Sequence, residues 1–154
     1  MKKAPLSFCL LVAVFCILII LGLSCSTGDS PKDVVVHMFG AMDRNDIAAL
    51  NDILDIPALM ESDVEDYSLQ ADTPRVFHSP EDLLNDLTGE GKTKRRWFSY
   101  QRVLGNTEIK GDTAFVEISF IDKAKSTQYY NKFGLHKDIN GRWKIYSFRT
   151  VSGE

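Results

Sequence analysis

The sequence predicts an α+β domain in which three N-terminal helices pack on an antiparallel sheet of about four strands. Apolar residues recur at helical spacing through residues 31–56 and again over 79–89, whereas from Trp97 onward apolar and polar residues alternate as in strands. The similar helix starts Ser30-Pro31-Lys32-Asp33 and Ser79-Pro80-Glu81-Asp82 mark where two of the helices begin. With 154 residues, 44% hydrophobic and 25% charged, the chain has room for one globular domain.

The first residues of the chain have the composition of an export signal. Met1-Lys2-Lys3 is a basic start, and Leu6–Leu23 is an apolar run without a charge. As a helix this run would span about 27 Å at about 1.5 Å per residue, which is marginal for crossing a bilayer core. An uncleaved membrane anchor and a plain secretion signal are therefore alternatives to a lipoprotein leader. All three interpretations place the domain beyond the inner membrane.

The apolar run ends in Leu21-Gly22-Leu23-Ser24-Cys25, which resembles the lipobox of bacterial lipoproteins. In that family a small residue precedes a cysteine that is acylated and becomes the new N-terminus. Ser24 and Cys25 match the two most diagnostic positions, whereas Gly22 departs from the leucine that usually lies three residues before the cysteine. The resemblance implies that residues 1–24 are a signal peptide and that Cys25 is lipidated.

The positions of the cysteines support lipid attachment at Cys25. Cys9 and Cys16 lie within the leader, so its cleavage leaves a single cysteine, for which lipidation provides a role. Residues 25–30 are the lipidated tether and a polar linker that reaches less than about 20 Å. The predicted location is the cell envelope, with the domain close to the lipid and facing the periplasm or the cell exterior. Ser26, by resemblance to the usual sorting rule, favours the outer membrane if the host has two.

The charge of the chain excludes one class of partner. Removing residues 1–24 takes away Lys2 and Lys3 and no acid, so 16 basic side chains face 21 acidic ones and the formal charge falls from −3 to −5. Such a domain has no general attraction to nucleic acid. The predicted partners are membrane lipid through the acylated N-terminus, and an envelope protein or a small hydrophobic molecule.

Residues 31–154 are predicted to form the single domain, which begins with a helix pair. The apolar stripe of the first helix is Val35, Met38, Phe39 and Met42, and that of the second is Ile47, Leu50, Ile53 and Leu54. Residues 43–46 separate the two helices, and Pro57 is expected to end the second. The acidic segment 61–76 is interpreted as a loop with one edge strand. A short third helix over 79–89 is closed by Gly89.

The second half of the domain is predicted to be an antiparallel meander. The strand-like segments are 97–104, 112–122, 127–138 and 142–150. Lys110-Gly111-Asp112 supplies one turn, and Asn140-Gly141 predicts a two-residue hairpin. In segment 112–122, the side chains expected on the helices are Ala114, Val116, Ile118 and Phe120. The opposite, mixed face is left for solvent or a partner.

This order of elements, ending in Asn140-Gly141-Arg142-Trp143-Lys144-Ile145, resembles the nuclear-transport-factor-2-like superfamily over residues 31–151. Within the superfamily, small bacterial lipoproteins of unknown function are the most similar. The resemblance implies a cone in which the sheet is curved and an open mouth lies between sheet and helices. It also implies a possible homodimer through the outer sheet face. The superfamily contains isomerases and cyclases as well as non-enzymatic binders, so the fold does not settle the function.

The histidines are scattered and predict no metal site, because none has a partner at a recognised ligand spacing. His37 adjoins the apolar stripe of the first helix, where superfamily members can line the cone, and a position at the edge of the core is the simpler interpretation. His136 shares a strand face with Gln128, Tyr130 and Lys132. That polar face is a possible binding surface.

Lys92-Thr93-Lys94-Arg95-Arg96-Trp97 is a basic run in an otherwise acidic chain. Four cations lie beside the indole of Trp97, with Tyr100 and Arg102 nearby; they are Lys92, Lys94, Arg95 and Arg96. Such a surface could hold anionic headgroups or an acidic protein. The alternative is a solvated loop that leads into a strand.

No catalytic residues and no cofactor are predicted. Ketosteroid-isomerase-like chemistry needs an Asp base with a Tyr and a protonated Asp as oxyanion donors, and no motif here assigns those roles. The expected function is a non-enzymatic accessory lipoprotein that binds a ligand or partner. The alternatives are an isomerase- or cyclase-like enzyme using an Asp or His in the cone, and a structural envelope protein that self-associates.

Overall fold

The computed structural model describes residues 28–61 and 77–151. The predicted signal peptide, Cys25, and nearly all of the acidic segment lie outside these residues. The helices are α1 (Pro31–Arg44), α2 (Ile47–Ile53), α3 (Ile56–Glu61), α4 (Pro80–Leu87) and α5 (Lys92–Ser99). The strands are β1 (Gln101–Lys110), β2 (Thr113–Asp122), β3 (Thr127–Lys137) and β4 (Trp143–Val151). The domain is α+β, as predicted, with two more helices in the described ranges than the sequence indicated.

The predicted helix pair is confirmed, and its ends are fixed by capping side chains. Ser30 and Asp33 form a capping box at the start of α1. Asn45 ends α1 in the left-handed conformation at φ 57°, which asparagine tolerates better than most residues. Asp46 then caps α2 by accepting the Ala49 backbone N–H at 3.0 Å.

The expectation that Pro57 ends α2 is wrong, because α2 ends at Ile53 and Pro57 lies within the first turn of α3. Asp55 caps this helix by accepting the Ala58 N–H at 3.1 Å, and Pro57 occupies a position whose missing N–H costs nothing. Leu54 forms an isolated parallel bridge with Ile145, and the Asp55 N–H donates to the Ile145 carbonyl at 2.8 Å. The helical layer is thus joined directly to strand β4.

The prediction of a loop or strand for residues 92–99 is wrong, because these residues form α5. Asp86 accepts the backbone N–H groups of Lys92 and Thr93, which begin the helix. Thr93 and Trp97, one helical turn apart, are its buried residues. The charged residues between them occupy the outer side of the helix. Their high polarity is why the sequence pattern did not predict this short amphipathic helix.

The four strands form an antiparallel meander in the order β1-β2-β3-β4, as predicted. The predicted two-residue turn at Asn140-Gly141 is wrong. The Asp138 N–H donates to the Arg142 carbonyl at 2.8 Å, so residues 139–141 form a three-residue loop. Gly141 has φ 76°, the left-handed position that ends such a loop.

One face of the sheet packs on the helices and forms the core. The predicted inner residues of β2 are all buried: Ala114, Val116, Ile118 and Phe120. Facing them from the helices are buried residues of α1, α2, α4 and α5. This arrangement is compatible with an α+β cone. None of the described helices is long and apolar enough to cross a membrane.

Candidate functional site

The space between helices and sheet is occupied by an aromatic cluster of Phe39, Trp97, Phe120, Phe133 and Phe148. The Trp97 ring centroid lies 5.4 Å from those of Phe133 and Phe148 and 5.6 Å from that of Phe120. Trp97 itself has 0% of its surface exposed. Because these rings pack at van der Waals spacing, they leave no room for a ligand among themselves.

Two buried polar side chains at this interior have no hydrogen-bond partner among the described residues. They are the indole Nε1 of Trp97 and the amide of Asn131, whose exposure is 0%. Asn131 lies on β3 between Ile118 of β2 and Thr150 of β4. A buried amide without a partner costs about 1–3 kcal/mol, so we expect Asn131 to lower the stability of the sheet.

Helix α5 separates the residues of the predicted basic surface. Trp97 faces the core, so the expectation that its indole adjoins the cations at the surface is wrong. Lys94 Nζ donates to Asn45 Oδ1 at 2.5 Å and to the Asp43 carbonyl at 3.4 Å, which places the cation at the C-terminal end of α1. Arg95 is exposed, and Arg96 is half-buried.

Arg102, beside this helix, uses its guanidinium for packing. The group lies 3.8 Å from the Phe98 ring centroid and 5.1 Å from that of Phe39. Burial against the rings lowers the pKa of Arg102, and the Asp43 carboxylate opposes that shift. Lys94 of the basic run and the neighbouring Arg102 thus both contribute to the packing of α5.

His136 lies on the outer face of the sheet, as predicted, in contact with a helix cap. Its Nε2 is 2.9 Å from Asp55 Oδ2, and its ring stacks on Tyr146 at 5.3 Å between centroids. Tyr146 covers Gly134, where an added Cβ would come within 2.8 Å of the tyrosine ring. An open depression of about 310 Å³ adjoins His136, and Asp55 and Lys144 also line it.

The rest of the outer face combines apolar and charged side chains. Registers across the strands place these residues on it: Val103, Phe115, Glu117, Ile121, Tyr130 and Lys132. Val103 is 43% exposed and Tyr130 40% exposed. Lys132 Nζ lies 3.6 Å from Glu117 Oε1 across neighbouring strands. The sequence indicated the mixed character of β2, but only the register brings Val103 and Tyr130 onto the same face.

His37 lies outside the core, contrary to the expectation of a core-edge position. Its side chain is 57% exposed, and Nδ1 is 3.2 Å from Asp29 Oδ2. Both residues line a cleft of about 650 Å³ at the end of the domain where the described chain begins. The opposite wall is the β3–β4 loop, including Asn140 and Gly141. No sequence signal pointed to this cleft, because its walls are distant in the chain.

The described residues contain no group of three or more His, Cys, Asp or Glu residues placed to hold a metal ion. No protein-family model matches the chain, and comparisons with curated proteins and with solved structures found no match. The candidate surfaces of the described residues are the outer sheet face and the cleft.

Proposed function

We propose that this protein is a lipid-anchored accessory protein of the cell envelope that binds another envelope protein through its outer sheet face. The basic start, the apolar run and the Leu21–Cys25 motif support attachment by an acylated Cys25. The outer face supports partner binding because it combines exposed apolar area with charges that can select a partner.

The observation that carries this proposal is the complete burial of Trp97 within the aromatic cluster. A ligand-binding cone needs an unfilled interior, and here five aromatic rings occupy that space. Binding is therefore assigned to an outer surface, where Val103 and Tyr130 are exposed. We also propose that the domain is a nuclear-transport-factor-2-like cone, because a helix hairpin precedes a four-stranded meander.

The roles of the described aspartates favour a binding protein over an isomerase or cyclase. The carboxylates of Asp33, Asp46 and Asp55 accept backbone N–H groups at helix starts. Asp122 and Asp138 accept backbone N–H groups in loops. An enzyme of this kind needs a carboxylate or imidazole in an enclosed pocket with a second polar group near the reacting atom. His136, with Asp55, is the residue that the enzyme alternative would use.

The anchor is tested by acylation of the full chain in its host. Cells are grown with an alkyne analogue of palmitate, and the purified protein is analysed by mass spectrometry of its N-terminal peptide. We expect acyl groups on Cys25 in wild type and none in Cys25→Ser. A bare Cys25 on protein recovered from the cytosol would refute the anchor.

The binding face is tested by a photo-crosslinking residue at position 103 or 130 in the lipidated protein. Val36 on helix α1 is the matched control, since its 46% exposure is close to the 43% of Val103. We expect a discrete adduct from positions 103 and 130 that is absent from position 36 and is lost when Glu117 and Lys132 are both reversed in charge. An adduct of twice the chain mass identifies self-association, and equal labelling from position 36 would contradict the proposal.

A further inference from the structure

The three-residue β3–β4 loop carries the most exposed large apolar side chain of the described residues. Ile139 has a relative exposure of 101%, so its side chain contacts essentially only solvent. It occupies the first position after Asp138 in a loop that is otherwise well fixed. The Asp138 carboxylate accepts the N–H groups of Asn140 and Arg142 at 2.8 and 2.9 Å. The loop thus presents Ile139 on a rigid turn.

A single exposed isoleucine is ordinary on a protein surface, and what distinguishes Ile139 is its location. The β3–β4 loop and the beginning of the described chain form two walls of the same cleft, through Asn140 and Gly141 on one side and Gly28 and Asp29 on the other. Asp29 is held to α1 by His37 at 3.2 Å. The chain therefore enters the domain at the end where Ile139 projects.

The length of the tether sets how close this end is to the lipid. Cys25 precedes Gly28 by three residues, which reach at most about 10 Å when fully extended. An acyl group on Cys25 enters the bilayer, so Gly28 and the cleft that it lines must lie within about that distance of the headgroups. The β2–β3 loop, which contains Lys125, lies at the opposite end of the sheet.

We infer that the β3–β4 loop is a second membrane contact, in which Ile139 inserts into the lipid interface beside the acyl anchor. This inference rests on the proposed lipidation of Cys25. Trp143 is half-buried and lines the cleft. The Nζ atom of Lys137 lies over its indole, 5.2 Å from the ring centroid. An indole with a neighbouring cation is the residue combination enriched at membrane–water interfaces. The surface that binds to this end of the domain is thus a lipid membrane.

The charges around the loop indicate an apolar rather than an electrostatic contact. Arg142 is paired with Asp52 and Asp138, each at 3.1 Å. Lys137 is paired with Asp112 at 3.3 Å. Because these cations already have acidic partners, they add little electrostatic attraction to anionic headgroups. We expect the contact to be as deep in zwitterionic vesicles as in vesicles that contain anionic lipid.

The test uses the acylated mature protein without its leader, reconstituted in phosphatidylcholine vesicles with and without anionic lipid. An environment-sensitive fluorophore is attached to Ile139→Cys, with Lys125→Cys as the matched exposed control at the far end of the sheet. We expect the label at position 139 to show a blue-shifted emission, quenching by brominated acyl chains and protection from aqueous iodide. The label at position 125 should behave as in water. Trp emission of unlabelled wild type should also be quenched by brominated lipid, and this quenching should be lost in Trp143→Phe and reduced in Ile139→Asp.

The outcomes separate the inference from its premise. Water-like emission at both positions, on protein whose Cys25 is shown by mass spectrometry to be acylated, overturns the second contact and leaves the anchor intact. An unmodified Cys25 overturns both. Equal lipid quenching at positions 139 and 125 also overturns the inference, because a domain lying flat on the membrane would not single out the loop.

Discussion

The Nε2 atom of His136, on strand β3, lies 2.9 Å from Oδ2 of Asp55, the residue that caps helix α3. Asp55 also donates its backbone N–H to the Ile145 carbonyl of β4 at 2.8 Å. The same residue thus starts a helix and joins two strands of the sheet to it. The pair is half-buried, with 35% of the His136 side chain and 26% of the Asp55 side chain exposed.

Asp55→Ala is expected to lower the free energy of unfolding by about 1–2 kcal/mol. Most of this loss is the helix cap, which is worth about 1 kcal/mol, and the partly exposed ion pair adds less. The matched control is Asp112→Ala, whose carboxylate is 82% exposed in its pair with Lys137. This control should stay within about 0.5 kcal/mol of wild type. Urea unfolding followed by circular dichroism measures both, and equal effects would contradict the structural role of Asp55.

Trp97→Ala is expected to lower the free energy of unfolding by about 3–5 kcal/mol, because it removes a fully buried indole from the aromatic cluster. Trp143→Ala, which truncates a half-buried indole, should cost less. The comparison separates a core residue from a surface one, since a Trp97 that belonged to a basic binding surface would be dispensable for stability. If Trp97→Ala proves too unstable to purify, Trp97→Phe provides the intermediate value.

Asn131→Val is expected to raise the free energy of unfolding by about 1–2 kcal/mol. The buried amide has no partner among the described residues, and valine of similar size suits a central strand. Asn131→Asp should instead be strongly destabilising, because it buries a charge. The variants are compared by thermal and urea unfolding. Destabilisation by valine would mean that the amide is hydrogen bonded, for instance to a buried water.

Local chemistry explains which elements the sequence could predict. The capping box at Ser30, the Asn45-Asp46 connection and the alternation along β2 are all encoded by neighbouring residues, and each is confirmed. Helix α5 was missed because its stretch is mostly basic and only Thr93 and Trp97 are buried. The spacing of four between those two residues was the available signal. The three-residue loop was missed because Asp138, not Asn140, begins the turn.

The candidate surfaces depend on contacts between distant parts of the chain, which the sequence could not give. His136 was assigned to the correct face from alternation alone, but its partner Asp55 is 81 positions away in sequence. Asp55-Ile56-Pro57 is itself a helix-start signal, whereas Pro57 taken alone predicts a helix end. The cleft beside Gly28 combines segments that are distant in the chain, so only the folded chain reveals that Gly28 and the β3–β4 loop lie together.

Asp138→Asn is expected to reduce the loss of stability at acid pH. The folded loop lowers the pKa of Asp138 below its ordinary value of 3.8, first through the backbone N–H of Arg142 and then through the Asn140 N–H and the Arg142 guanidinium. The hydrogen bond and the charge of the Asp138 side chain raise the pKa of Arg142, and the charge of Asp52 adds to this shift. Because the folded pKa of the carboxyl is the lower one, the folded state binds fewer protons than the unfolded state between the two values. The carboxylate therefore stabilises the fold at pH values above 3.8, and this contribution is lost as the pH falls through the folded pKa.

Asparagine at position 138 keeps an oxygen that accepts the two N–H groups but does not titrate, so this acid-linked loss disappears. Urea unfolding at about pH 7 and about pH 3 should show a smaller difference for Asp138→Asn than for wild type. Asp33→Asn provides a second case at another part of the fold, since the Ser30 hydroxyl and backbone N–H lower the pKa of Asp33 as well. An unchanged difference in both variants would show that these carboxylates have the same pKa in the folded and unfolded chain. The rigid turn that presents Ile139 would then have no basis in the Asp138 hydrogen bonds.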